Sequence, residues 1–239
     1  MRAIRSALFN VFFFAWSTAI MATAWLLLPL PPRFIRTHIG LWPRGNFPML
    51  RALVGTRFEV RGRERIPDEP VIFAAKHQSA WDTMFFLWLD PANAYVMKAE
   101  LGRIPLWGAY MRRCGHIMID RTGGAGTMRE MMRATEAVLA EGRSIVIFPE
   151  GTRKAPGETG TYHPGIAALY TQTGAKVVPV ALNSGLFWPR RAFFKRPGTI
   201  VIEFLDPMPE GLSRAAFMAQ LKDRVETATR RLESEAGLS

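Results

Sequence analysis

Val71-Ile72-Phe73-Ala74-Ala75-Lys76-His77-Gln78-Ser79-Ala80-Trp81-Asp82 passes from an unbroken apolar run, through polar residues, into a second apolar segment. The first run is short and apolar at successive positions, so it reads as a strand covered on both faces. The segment from Ser79 to Leu89 contains no Gly or Pro and reads as a helix, with Ser79 as its cap. A buried strand feeding a helix is the repeating unit of a layered α/β domain.

The same alternation recurs outward from this stretch. Residues 58–60, 94–97, 117–119, 145–148, 177–182 and 200–204 read as strands, and 61–70 as a polar connection. Residues 106–113, 127–141 (closed by Gly142) and 213–235 read as helices. The predicted fold is α/β: a mixed, largely parallel sheet flanked by helices, in which sites gather at the C-terminal ends of strands.

The 239 residues suit one domain, or one domain plus an appendage. With 49% hydrophobic and 21% charged residues, a wholly disordered chain is excluded. The single cysteine, Cys114, excludes an intrachain disulfide framework and a multi-cysteine zinc site. A formal net charge of +11 points to an anionic partner. Residues 1–58 hold seven Arg and no Asp or Glu, beside the most apolar stretch of the chain. That pairing, with no zinc finger, RNP motif or basic zipper, favours a membrane over nucleic acid.

Residues 7–30 carry no charge and as a helix would span roughly 36 Å, enough to cross a bilayer. Ala22-Thr23-Ala24 resembles a signal cleavage site, but Trp25-Leu26-Leu27-Leu28 follows it directly, against cleavage. Arg2 and Arg5 precede the stretch and Arg33 and Arg36 follow it, so charge bias sets no orientation. Residues 34–58 mix Arg with Trp42, Phe47, Met49, Leu50 and Leu53 and read as interfacial. The expected organisation is a membrane-associated helical region over 1–57 and an α/β domain over 58–239. A helix buried in the protein's own core is the alternative for the first segment.

Three predicted strands end in side chains able to do chemistry. His77 follows the strand 71–75, and a turn can return Asp82 to its imidazole, fixing the tautomer while the other nitrogen accepts a proton. The same spacing also fits a helix-capping Asp beside an unrelated loop His. Phe148-Pro149-Glu150-Gly151-Thr152-Arg153 follows another strand. There Gly151 permits a tight turn, Arg153 offers a fork of donors for phosphate, and Glu150 could orient that Arg or a substrate hydroxyl. An ordinary loop with an exposed ion pair is equally consistent. Ile119-Asp120-Arg121 leads into the Gly-rich 122–126, which is neither a Walker loop nor a dinucleotide fingerprint.

Taken in order, His77-x4-Asp82, Ile119-Asp120-Arg121, Phe148–Arg153 and Val178-Pro179-Val180-Ala181 resemble the four motifs of the glycerolipid acyltransferases. The closest likeness is to the bacterial 1-acyl-sn-glycerol-3-phosphate acyltransferases, over residues 58–207. The resemblance implies His77 as general base and Asp82 as its orienting partner. It implies Arg121, Glu150, Gly151, Thr152, Arg153 and Lys98 as binders of the glycerol phosphate, and Pro179 as a shaper of the site. One departure stands out: Lys76 occupies a position where many members have Asn.

The implied reaction carries an acyl group from an acyl thioester, of coenzyme A or acyl carrier protein, to the sn-2 hydroxyl of lysophosphatidate, yielding phosphatidate. No metal and no bound cofactor would take part. The implied location is the cytoplasmic face of a bacterial inner membrane. Transfer to another lyso-lipid such as lyso-ornithine lipid, or non-catalytic binding of anionic lipid, are the rival readings. Ser79 fits a cap better than a nucleophile, and no Gly-x-Ser-x-Gly elbow is present. Cys114 reads as packing, His38, His116 and His163 as structural or surface groups, and Met128, Met131 and Met132 as helix packing. Residues 187–196, with four basic and four aromatic side chains, could meet headgroups, coenzyme A or an acidic carrier protein, or simply cover the core. Acyl-chain length and oligomeric state are not legible.

Overall fold

The computed structural model describes residues 1–120 and 124–237, with the backbone alone for Gly124 and Ala125. Its centre is a seven-stranded sheet in the order β1-β7-β6-β2-β5-β3-β4. The strands are β1 (Thr56–Arg61), β2 (Ile72–Ala75), β3 (Ala94–Lys98), β4 (Ile117–Ile119), β5 (Ile145–Ile147), β6 (Val177–Leu182) and β7 (Gly198–Phe204). Every pairing is parallel except β6 with β7, so β1 and β7 run against the rest. The sheet is therefore mixed and largely parallel, as the buried Val/Ile runs predict.

Successive strand residues point to opposite faces, and each face has its own helical layer. Phe73, Ala75, Tyr95, Val146, Val178 and Ile202 pack toward α1 (Arg2–Leu27), α2 (Pro32–Ile39), α3 (Leu41–Met49), α4 (Ala80–Leu89) and α5 (Trp107–Cys114). Ile72, Ala74, Val96, Ile145 and Val177 pack toward α6 (Gly124–Ala140), α7 (Gly165–Thr173) and α8 (Arg214–Glu235). Phe9, Ile35 and Phe47 belong to the same buried cluster as Phe73 and Val178, so apolar contact runs unbroken across residues 57 and 58.

Helix α1 turns one side to this core through Phe9, Ile20 and Ala24, yet only 17% of its most apolar window is buried. The chain bends at Pro29 and Pro31, and Pro32 opens α2 where a missing N–H is harmless. Gly45 lets α3 lie against α1, because a Cβ there would stand 2.3 Å from the Trp16 indole nitrogen. That nitrogen donates to Leu41 O at 3.2 Å, and Trp42 Nε1 donates back to Ser17 Oγ at 2.9 Å. Pro48 removes a donor from the last turn of α3, and the backbone widens into a π turn over Leu50–Val54.

Pro179 sits inside β6 next to β7, where its carbonyl accepts from Leu205 N at 2.9 Å. The ladder between these strands ends at the neighbouring Val180–Phe204 pair, so the absent N–H falls where pairing is already finishing. Helix α7 carries no side-chain cap and went unread in the sequence.

Candidate active site

Between Ala75, the end of β2, and Ala80, the start of α4, lie the residues that build the centre. Ser79 caps α4: its Oγ accepts from Trp81 N at 3.1 Å, while Asp82 Oδ2 accepts from Ser79 N at 2.8 Å. The same carboxylate oxygen accepts from Gln78 N at 2.7 Å and from His77 Nδ1 at 2.9 Å. Ser184 Oγ donates to Asp82 Oδ1 from the turn after β6. Asp82 thus caps α4 and holds the imidazole with the same carboxylate, so the histidine is not unrelated to the cap. A carboxylate that only accepts assigns the proton to Nδ1 and leaves Nε2 as the acceptor of the ring. The imidazole lies flat on Phe148, with centroids 3.9 Å apart at 17°.

His77 lines a pocket of about 370 Å³ together with Lys98, Gly151, Thr152, Arg153 and Arg190. Lys98 ends β3, while Gly151 to Arg153 follow β5, so the polar wall forms at adjacent strand ends. Gly151 adopts φ +65°, and its N–H closes the turn on Phe148 O at 2.9 Å. Lys154 N donates to His77 O at 2.8 Å and ties this loop to the histidine. Arg153 is partly buried; desolvation first, then the neighbouring Arg190, lower its pKa from the ordinary arginine value. Arg190 donates to Arg153 O at 3.2 Å, so two cationic side chains share one wall, a setting that favours an anion.

The other wall is apolar. Trp42, Thr83, Tyr95, Met97 and Trp107 also line a second cavity of about 340 Å³. It continues among Phe13, Phe14, Ile20 and Met21 of α1, Ile39 of α2 and Met111 of α5.

Behind the pocket, the loop is bolted to α8. Lys76 Nζ lies 2.8 Å from Glu150 Oε1 and 2.8 Å from Glu226 Oε1, and donates to Glu158 O at 2.9 Å. Glu226 also accepts from Tyr162 and Thr159. One turn-pair further along α8, Glu233 accepts from Gln78 Nε2 at 2.6 Å and Gly157 N at 3.0 Å.

The Glu150 expectation needs correcting. Its carboxylate turns into the interior, accepting from Lys76, His77 N and Gly160 N, and does not line the pocket. Burial pushes its pKa up, offset in part by Lys76. Lys76, which departs from the family pattern, supplies its counter-charge.

Of the sequence-predicted site residues, His77, Asp82, Lys98, Gly151, Thr152 and Arg153 come together, Asp82 from just behind the pocket. Arg121 lies outside the described residues. Arg190 was within a segment whose role the sequence left open. Glu226 and Glu233 went unread, though two acids seven residues apart on the apolar side of an amphipathic helix are a signal. Cys114 is buried, and burial pushes its thiol up to about 12, in keeping with a packing role. His38 bonds Tyr110 and Thr23, while His116 Nδ1 accepts from Tyr95 N. Among the described residues no three His, Cys, Asp or Glu side chains gather as a metal site would require.

Residues 57–183 match the model of the Acyltransferase family. A 1-acyl-sn-glycerol-3-phosphate acyltransferase of Pseudomonas aeruginosa is 33% identical over 229 residues, covering 94% of this chain and 88% of that one. A lyso-ornithine lipid O-acyltransferase of the same organism is 28% identical over 198 residues, covering 75% and 76%. The crystal structure of a 1-acyl-sn-glycerophosphate acyltransferase from Thermotoga maritima shares the fold, with a TM-score of 0.78 at 22% identity over 100% and 99% of the two chains. With the family model over more than half its length and a relative at 33% identity over nearly all of it, the chain belongs to the acyltransferase family that includes the 1-acyl-sn-glycerol-3-phosphate acyltransferases.

Proposed function

We propose that the protein transfers an acyl group from an acyl thioester to the sn-2 hydroxyl of 1-acyl-sn-glycerol 3-phosphate, forming phosphatidate. The observation that carries this reading is His77, held at Nδ1 by Asp82 in a pocket whose polar wall includes Lys98, Arg153 and Arg190. A phosphate on that wall would place the glycerol hydroxyl at Nε2. His77 takes the hydroxyl proton as the oxygen attacks the thioester carbonyl, and Asp82 stabilises the imidazolium that forms. The tetrahedral adduct then collapses, the carbon–sulfur bond breaks, and the proton passes from His77 to the departing thiolate. General-base catalysis of this kind contributes about 10²–10⁴-fold. Arg121, from its predicted place after β4, would add to the phosphate wall. The apolar cavity that shares Trp42 and Tyr95 with the pocket suits the acyl chain.

The thioester, of coenzyme A or of acyl carrier protein, is a co-substrate, and the chemistry asks for no resident cofactor. Such donors place the reaction at the cytoplasmic face of the bacterial inner membrane. The length, composition and exposed face of α1 fit association with that membrane.

Lyso-ornithine lipid is the second acceptor to consider, because a relative of 28% identity carries that activity in its name and arginine also binds carboxylates. Purified protein is offered each lyso-lipid with each donor, with glycerol 3-phosphate as competitor. Phosphatidate formation inhibited by glycerol 3-phosphate is expected. Turnover of lyso-ornithine lipid alone would overturn the phosphate assignment and keep the acyl transfer.

A further inference from the structure

Residues 187–196 leave the sheet after the Ser184–Leu186 turn and return to β7 as a closed loop, its base pinned by Arg196 N donating to Phe187 O at 2.8 Å. The loop crosses from the pocket to α1. At one end, Arg190 stands in the pocket wall. At the other, Lys195 Nζ donates to Asn10 Oδ1 at 2.6 Å, Asn10 Nδ2 donates to Phe193 O at 3.1 Å, and Lys195 N donates to Ser6 Oγ at 3.0 Å. Trp188 packs edge-on against Phe9 and Phe13 of α1. The loop is thus fastened along the N-terminal half of that helix.

Between those fastenings, Phe193 and Phe194 point outward, 51% and 49% exposed. They touch one another edge to face at 5.2 Å. Arg191 just before them adopts φ +57°, the left-handed region that an L side chain enters at a cost, and this sharp turn precedes the pair. Two aromatic rings held in water by a pinned loop are unfavourable unless something covers them.

What lies beside them indicates the cover. Ile4, Leu8, Val11, Phe14 and Leu26 of α1 are also exposed, and at helical spacing they share one side of it. Asn10, which holds the loop, lies one turn before Phe14 on α1, while Ser6 holds it from the buried side of the helix. Arg190, Arg191 and Arg196, all exposed, stand within three residues of the phenylalanines in the chain, whose net charge is +11. Exposed aromatic groups on a loop that also exposes arginines match an anionic lipid surface, with rings below the phosphates and guanidinium groups among them.

We propose that the tip of this loop, Phe193 and Phe194, is a second membrane contact that seats in an anionic leaflet beside α1, bringing the lip of the pocket to the lipid surface. It rests on the reading that the acceptor is a membrane lipid. Arg190 then meets the phosphate of an acceptor rising from the leaflet, and the loop spans the distance from bilayer to His77. A soluble acidic carrier protein, the other anionic surface, would pair with the arginines but leave the two rings without a hydrophobic cover.

The first test needs no catalysis, so it stands apart from the acyl-transfer reading. Buried Cys114 resists labelling, so Phe194→Cys and, as a reference on α1, Val11→Cys each take one environment-sensitive dye. Each full-length protein is added to vesicles of phosphatidylglycerol and phosphatidylethanolamine, with and without bromine on the acyl chains. The proposal expects brominated chains to quench both dyes. A quenched dye at position 11 with an unquenched, water-like dye at position 194 would overturn it, as would no quenching at either.

The second test is the Phe193→Ser/Phe194→Ser double variant. Transfer to acceptor embedded in vesicles should fall about tenfold or more through KM, with the rate on a short-chain, monomerically dispersed acceptor kept. Equal loss on both acceptors, or on neither, would contradict the proposal.

Discussion

Asp82 shows how much one side chain can carry when the chain delivers it to the right turn. It caps α4, accepts two backbone N–H groups from the preceding loop, binds Ser184 and sets the tautomer of His77. An amide in its place can present a nitrogen to His77 Nδ1 and favour the wrong tautomer. Asp82→Asn is therefore expected to lower kcat about 10²–10⁴-fold with KM little changed, measured by steady-state acyl transfer. An unchanged kcat would remove Asp82 from the mechanism. His116 offers a separate test in the core: burial first, then Arg143 and Arg36, lower its pKa to about 3 from 6.5. The unfolded chain binds the proton at the higher pH, so this histidine's contribution to stability is full above pH 6.5 and is lost as pH falls toward 3. Urea unfolding at pH 7 and pH 5 should show a smaller acid loss in His116→Gln than in wild type, and an equal loss would refute the assignment.

Helix α8 is where sequence and structure part most instructively. Its amphipathic pattern and its Ser213 cap were legible, and that cap forms as read, with Ser213 Oγ accepting from Ala216 N at 3.2 Å. Its task was not legible, because which loop meets a helix face depends on strand order. Once β6 lies beside β2, α8 passes behind the His77 loop and Glu226 reaches Lys76. Removing one partner of such a buried group strands the other, so Glu226→Ala should lose about 3–5 kcal/mol in urea unfolding. Lys76→Met should also be destabilising, and the double variant less than the sum of the two. Losses within about 0.5 kcal/mol of zero would place the cluster outside the fold's essential contacts. The same dependence explains Glu150: its place in a loop after a strand suggested contact with substrate, but only the assembled layers show that its side chain faces Lys76. The central strands β2, β5 and β6 were readable because both their faces are apolar. α7 was not, because no cap or strong periodicity marks it.

At the scale of the whole molecule, the sheet divides two jobs. One layer, α1 to α5, wraps the apolar cavity and turns the uncharged side of α1 outward, while the other, α6 to α8, braces the strand ends from behind. The pocket opens where these layers meet the C-terminal ends of β2, β3 and β5, with His77 between a cationic wall and an apolar one. Charge and hydropathy of the N-terminal quarter were plain in the sequence. The shared core with the sheet was not, since no local pattern announces that Phe9 and Phe73 will lie in one cluster. The activity proposed for this arrangement is base-assisted acyl transfer to a lyso-phospholipid. Its most direct test is acylation of lysophosphatidate by purified protein supplied with acyl-coenzyme A and with acyl carrier protein thioester, alongside His77→Ala shown to be folded by its thermal unfolding. Wild type is expected to form phosphatidate and the variant to lose at least about a hundredfold in rate; phosphatidate formed equally by both would contradict the base role of His77.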